Sequence, residues 1–170
     1  INEGQSSQAI KLLDSNAGCI NNEILENKGP EVVFYERKYY IYKASLSALE
    51  LASSKGEVSV VKSILKQGER MGIPKQMLED RFKYTAYPKN KYYLEFESSA
   101  TVLMLAAASG HDDVIKVLLK EGEESKITKS MLEAKGEQIG WIALMLAADS
   151  GHNDVVKTLL KEGEKFKIAK

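Results

Sequence analysis

Apolar and polar residues alternate over 101–123 with the spacing of two short helices. The run 103–107 is apolar or small throughout, and Gly110 follows it as a turn residue. The next apolar residues fall at i, i+1, i+4 and i+5, which places them on one stripe of a helix. They are Val114, Ile115, Leu118 and Leu119. The pattern therefore predicts a helix, a glycine turn and a second, amphipathic helix.

This two-helix pattern recurs along the chain. Full copies occupy residues 46–69, 101–123 and 142–164, and a weaker, truncated copy over 1–18 has Gln8 where the others have valine. A single pair of helices cannot bury both of its faces, so repeated pairs are stable only when they stack. The sequence predicts a single domain over all 170 residues, an all-α-dominated solenoid of about four units.

Insertions separate the units at 19–45, 70–100 and 124–141. Each insertion opens with related residues whose apolar positions fall at i, i+4 and i+5, which is a helical spacing. Pro74 stands at the start of this segment in the second insertion, and the first turn of a helix tolerates proline. We therefore expect a short extra helix beside each second helix.

The first two insertions also carry strand-like segments. Residues 32–42 have β-branched and aromatic residues on both sides of a charged triplet, and residues 82–96 repeat this pattern around 88–91. Both predict β-hairpins that project as fingers. All eight tyrosines lie here, and tyrosine is enriched at interfaces because it offers rigid contact area and a hydroxyl. Because alternate side chains of a strand point to opposite faces, about half of the tyrosines equally suit packing of the fingers themselves.

Two of the repeated stretches, TVLMLAAASGHDDVIKVLLKEG and IALMLAADSGHNDVVKTLLKEG, resemble ankyrin repeats. Val102 and Ala143 replace the proline of the family pattern, and Met104, Met145 and Glu50 replace its histidine. The Thr-to-His hydrogen bond of the family is therefore not expected in these units. The resemblance implies an ankyrin solenoid with β-turn fingers between units. It also implies that finger tips and the exposed ends of the first helices bind a partner protein.

The candidate partner-binding residues belong to two surfaces. Those of the fingers, tyrosines as aromatic anchors and basic residues for electrostatic fit, are Tyr35, Arg37, Lys38, Tyr39, Tyr40, Tyr42, Tyr84, Tyr87, Lys89, Lys91, Tyr92 and Tyr93. Those of the first helices and the third insertion are Ser54, Lys55, Ala108, Ser109, Trp141, Asp149 and Ser150. The helix-end residues equally suit a solvated edge, and Trp141 equally suits packing between units.

The charge balance argues against binding to nucleic acid or membranes. Lys and Arg number 24, as do Asp and Glu, so the chain has no net charge with which to attract either. Lysine and tyrosine alternate near residues 83–93 and could stack single-stranded bases, but neighbouring acids dilute the patch, and we predict no nucleic-acid partner. No apolar run is long enough to span a membrane. The single cysteine fits a reducing, cytoplasmic compartment.

No catalytic or metal-binding group is predicted. His111 and His152 occupy equivalent positions after the turn glycine, so the repeat accounts for them as structural residues. Cys19 has no histidine in its own unit to activate it. Acids such as Glu162 and Glu164 are interpreted as solvated helix ends. We expect no cofactor, no metal and no enzyme activity from these residues.

We expect a protein-interaction module, a monomer, that docks a folded partner along its concave face. The chain does not begin with methionine and is expected to be part of a larger protein. The alternative role is then a structural segment that supports a catalytic domain. The Ile-, Lys-, Asn- and Ser-rich composition and the long insertions resemble ankyrin domains of bacterial secreted effectors. Within that class the OspC-type group implies virulence in the host cytosol, with a host inflammatory caspase or calmodulin as partner.

Overall fold

The computed structural model of the chain describes residues 28–29, 31–36, 40–89, 96–137 and 140–168. For 31–36, 40–42, 88 and 96 it describes the backbone alone. The truncated unit predicted at 1–18 and the short helix predicted early in 19–45 lie outside the described residues.

Three pairs of helices follow one another along the described chain, and each full copy of the repeat forms one pair. The first helix of a pair is short and the second is longer, and a short third helix follows the first two pairs. In chain order the helices are α1 Ala48–Lys55, α2 Val58–Met71, α3 Pro74–Glu79, α4 Val102–Ser109, α5 Asp112–Glu124, α6 Thr128–Glu133, α7 Ala143–Asp149 and α8 Asn153–Lys165.

Side-chain caps set where two of the short first helices begin. The Ser47 hydroxyl accepts a hydrogen bond from the Glu50 N–H, and the Glu50 carboxylate accepts one from the Ser47 N–H at 2.7 Å. This reciprocal pair satisfies two backbone donors that the helix leaves open. The Thr101 hydroxyl caps α4 by accepting from the Met104 N–H. Glu50, which stands where the ankyrin pattern has histidine, therefore stabilises the start of α1 through its carboxylate.

The helices form two layers. In the inner layer α4 packs between α1 and α7, and in the outer layer α5 packs between α2 and α8. The short helix α3 lies against α5, and α6 lies against α8, so each joins its own unit to the next. The predicted extra helices are confirmed at these two positions. Because α4 has a unit on either side, it is buried from Val102 through Ala108.

The strands of the first two insertions form one antiparallel sheet of four strands in the order β1-β2-β3-β4. They are β1 Glu31–Glu36, β2 Tyr40–Ser45, β3 Arg81–Pro88 and β4 Phe96–Thr101. Within each insertion the two strands pair as the predicted hairpin does, and β2 also pairs with β3, with Lys43 opposite Thr85, so both insertions share the sheet. Of the predicted finger tips at 36–38 and 88–91, residues 37–38 and 90–91 lie outside the described residues, and the finger shape stays a prediction.

The sheet leads directly into the inner layer of helices. Strand β2 ends two residues before Ser47, which caps α1. Thr101 is both the last residue of β4 and the cap of α4. The third insertion lies against the same sheet, because the Arg81 guanidinium donates to the Lys135 carbonyl at 2.8 Å. The sheet is therefore continuous with the N-terminal ends of α1 and α4.

Candidate partner-binding surface

The histidines that follow the turn glycines Gly110 and Gly151 each join their unit to the preceding one. His111 Nε2 lies 3.0 Å from the Ser54 carbonyl oxygen, and His152 Nε2 lies 3.0 Å from the Ala108 carbonyl oxygen. With the proton on Nε2, each ring donates to a carbonyl in the last turn of an inner helix, where carbonyls have no partner within the helix. The prediction that both histidines are structural is confirmed.

These contacts change the surface expected at the ends of the inner helices. Ser54 and Ala108 are only 8% and 6% exposed. The expectation that they are exposed is wrong, because the histidine of the following unit packs against that turn. Lys55 and Asp149 are exposed, and Ser109 and Ser150 are half-buried. The accessible part of this surface is therefore narrower than the repeat pattern predicts.

Tyr84 is held within the sheet. It is half-buried and packs against the hydrophobic core, with its ring centroid 6.2 Å from that of Phe82. Burial raises the pKa of its hydroxyl above the ordinary value, against the opposing effect of a hydrogen bond with Ser98. These contacts favour the packing alternative for Tyr84.

Tyr87 lies on the other face of β3 from the buried Phe82 and Ala86, since alternate residues of a strand face opposite ways. Its ring centroid is 5.1 Å from Lys43 Nζ, a cation–π distance. The pairing register places Lys43, Thr85 and Glu97 in one row across β2, β3 and β4. We call the surface formed by Lys43, Lys83, Thr85, Tyr87 and Glu97 the outer sheet face.

Several sequence candidates cannot be placed on this surface. Outside the described residues lie Arg37, Lys38, Tyr39, Lys91, Tyr92 and Tyr93. For Tyr35, Tyr40 and Tyr42 the backbone register alone is described, with Tyr35 opposite Tyr42 and Tyr40 opposite Pro88. Lys89 follows β3 directly and is exposed. Their part in partner binding stays a prediction.

Trp141 lies at the end of the third insertion, beside the sheet. It is half-buried, and its carbonyl accepts a hydrogen bond from the Gly136 N–H at 2.9 Å. Arg81 joins this insertion to β4, since its guanidinium reaches both the Lys135 carbonyl and, at 3.4 Å, the Ser99 hydroxyl. The sheet and Trp141 are thus parts of one connected region.

A cluster of three carboxylates lies on the outer layer, where acids at helix ends were interpreted as solvated. Oxygens of Glu69, Glu121 and Glu124 lie within 4.8 Å of one another. Glu121 is buried, and burial, followed by the charge of Glu69, raises its pKa to about 7. Hydrophobic periodicity does not reveal this cluster, because a glutamate counts as polar in the sequence pattern whether its side chain is buried or solvated.

The comparisons with known proteins decide the family. A family model of ankyrin repeats in three copies matches residues 4–169. The chain belongs to the ankyrin-repeat family. Ankyrin repeats are protein–protein interaction modules that present extended binding surfaces across stacked units.

A solved structure shares the fold of this ankyrin-repeat chain. A chain of the crystal structure of the yeast ribosomal protein Rps3 in complex with its chaperone Yar1 is 18% identical, with a TM-score of 0.54 and 95% of each chain covered. At that identity the likeness shows the fold alone. No curated protein matches the chain. Among the described residues no helix is long and apolar enough to cross a membrane.

Proposed function

We propose that this ankyrin-repeat chain binds a folded partner protein through one surface. That surface consists of the outer sheet face, the exposed helix-end residues Lys55 and Asp149, and Trp141. The observation that carries the proposal is the position of Tyr87, which lies beside Lys43 on a sheet that continues into the inner helices.

The chemistry of this surface suits a protein partner. Tyr87 and Trp141 are both half-buried, so each is partly enclosed by its neighbours and partly accessible to a partner. Such anchored aromatic residues dominate binding energy at interfaces because little side-chain entropy is lost when they are covered. Exposed Lys83 and Glu97 give the outer sheet face both signs of charge, which favours a partner selected by local charge pairing.

A finer hypothesis names the partner as a host inflammatory caspase or calmodulin bound by a bacterial effector. It depends on the composition and long insertions alone, and it stays a prediction. The alternative, a structural segment that supports a catalytic domain, differs in one respect. It requires no partner molecule. It therefore predicts that the chain captures no protein, whether or not the outer sheet face is changed.

The test is capture of proteins from cell lysate by the immobilised chain and by two matched double variants, followed by mass spectrometry. The surface variant is Tyr87→Ala with Lys83→Ala, two residues of the outer sheet face. The control is Lys62→Ala with Lys66→Ala, two exposed lysines on the outer layer. Purified calmodulin and an inflammatory caspase, added separately, test the finer hypothesis.

We expect the wild type and the control to retain the same protein and the surface variant to lose it at least ~10-fold, the effect of removing an aromatic anchor. Melting temperatures of all three chains verify folding. A partner retained equally by the surface variant would overturn the proposed surface. If the folded wild type retains no partner, the structural alternative is favoured instead.

A further inference from the structure

The two junctions between outer helices can be compared at equivalent positions of the repeat. At the junction of α5 with α8, the Lys165 ammonium lies 3.2 Å from a Glu123 carboxylate oxygen and 2.7 Å from a Glu162 carboxylate oxygen. One lysine of the later unit therefore joins a glutamate of the earlier unit to a glutamate of its own.

The junction of α2 with α5 has glutamates at the two equivalent positions and no lysine at the third. Aligning the copies places Glu69, Glu121 and Glu124 where the next junction has Glu123, Glu162 and Lys165. Three carboxylates, with oxygens within 4.8 Å of one another, thus occupy the place of two carboxylates and an ammonium. The positive charge that holds the later junction together is replaced by a negative one.

Few other charges act on this cluster. Lys120 of α5 opposes the effects of Glu69 and Glu124 on Glu121, and it also lies 3.6 Å from Glu124. In the other packed helices, Lys75 pairs with Glu79 in α3, Lys129 pairs with Glu133 in α6, and Lys165 of α8 pairs with Glu123 and Glu162. The cluster therefore has an excess of negative charge when all three acids are ionised.

Glu121 is the member that cannot relieve this excess by turning into solvent. It is only 8% exposed, whereas Glu69 and Glu124 are exposed. A buried carboxyl beside two carboxylates is more stable with a proton than without one, because the neutral form avoids both desolvation and like-charge repulsion. The neutral carboxyl can also donate a hydrogen bond to Glu69, which an ionised one cannot.

We propose that the junction of α2 with α5 is a pH-sensitive joint of the solenoid, in which a proton on Glu121 replaces the ammonium group that Lys165 supplies at the next junction. With the proton present, Glu121 links the two outer helices. Loss of the proton near neutral pH leaves three like charges at the joint and loosens the contact between the two units.

The direction of the pH effect follows from the pKa of Glu121, which is about 7 in the folded chain against an ordinary value of 4.5. The folded chain holds this proton more tightly than the unfolded chain does. Stability due to Glu121 is therefore complete below about pH 4.5, falls as the pH rises to about 7, and is constant above that.

Two substitutions copied from the chain itself test the joint. Glu121→Gln installs the residue that the first unit has at this position, where Gln67 is buried. It retains a hydrogen-bond donor and removes the titration. Glu124→Lys rebuilds the junction as it stands at Lys165. The control is Glu162→Gln, the same change at the equivalent position of the next junction. The melting temperature of each chain is measured at pH 5.5 and pH 8.

We expect Glu121→Gln and Glu124→Lys to melt about 5 °C above the wild type at pH 8 and to keep less than half of that advantage at pH 5.5. The control is expected to differ from the wild type equally at both pH values. If Glu121→Gln does not fold, the melting temperatures of Glu124→Lys alone test the joint. Equal shifts at both pH values in the two test variants would overturn the joint. So would a rise in the wild-type melting temperature with calcium or magnesium at pH 8 that Glu121→Gln abolishes, since a metal ion would then occupy the place assigned to the proton.

Discussion

The second and third helix pairs have nearly the same sequence and very different surroundings. Met104 of α4 is 1% exposed, whereas its equivalent Met145 of α7 is 50% exposed. In the outer layer Leu119 is 3% exposed and its equivalent Leu160 is 47% exposed. The second pair packs against a unit on each side, and the described chain has no unit beyond the third. Burial of these two repeated positions is therefore set by the unit that follows them.

The substitution with the largest expected effect is leucine to alanine at the two equivalent positions. Leu119→Ala removes side-chain volume from a filled site and should lower the free energy of unfolding by about 2–5 kcal/mol. Leu160→Ala removes a side chain that is already half in water and should cost less than about 1 kcal/mol. Urea denaturation of both variants measures the difference. Equal losses would mean that a neighbouring unit does not decide the contribution of this residue.

Alanine at the two turn glycines should also lower the stability of the chain by different amounts, with a smaller difference than at the two leucines. Gly110 and Gly151 both have left-handed backbones, with φ of 80° and 77°, so alanine costs about 1–2 kcal/mol at either site. A Cβ on Gly110 would also lie 2.6 Å from the His152 ring, whereas one on Gly151 meets nothing within 4 Å.

We therefore expect Gly110→Ala to lower stability by roughly 1–2 kcal/mol more than Gly151→Ala, through displacement of the His152 ring. Thermal denaturation of the two variants gives this difference directly. Repeating both substitutions in a His152→Ala background serves as the control, because the excess should vanish once the ring is gone. An excess that persists there would assign the cost to α4 itself.

The smallest expected effects concern the caps of the inner helices. Thr101→Ala removes the hydroxyl that caps α4 and should cost about 1 kcal/mol. Ile142 stands at the same position before α7 with nearly the same backbone, φ −94° and ψ 168°, and provides no side-chain cap. Ile142→Thr should therefore recover a few tenths of a kcal/mol after the loss of apolar contact. Calorimetry resolves both shifts, and a Thr101→Ala variant as stable as the wild type would contradict the role given to the cap.

The helices were predictable because each repeats a local pattern of spacing, turn glycine and flanking charge. The sheet was only partly predictable. The strand segments show in the sequence, but the pairing of β2 with β3 joins two insertions across a whole helical unit, and periodicity does not report partners at that distance.

The candidate site was predictable to a smaller extent. Tyrosine content pointed to the sheet, but it could not distinguish Tyr84, which packs inward, from Tyr87, which lies beside Lys43. The burial of Ser54 and Ala108 depends on a histidine of the next unit. The carboxylate cluster emerges only when the copies are compared position by position across a junction. Contacts between units, which local spacing does not encode, account for each of these differences.

Hydrogen exchange followed by mass spectrometry tests most directly the claim that neighbouring units decide the stability of each repeat. Peptides over α4 and α7 have closely similar sequences, so their intrinsic exchange rates are nearly the same. We predict that amides of α4 exchange at least ~10-fold more slowly than those of α7, because opening α4 breaks contacts with a unit on each side and opening α7 breaks contacts with one. Equal protection of the two helices would contradict the account.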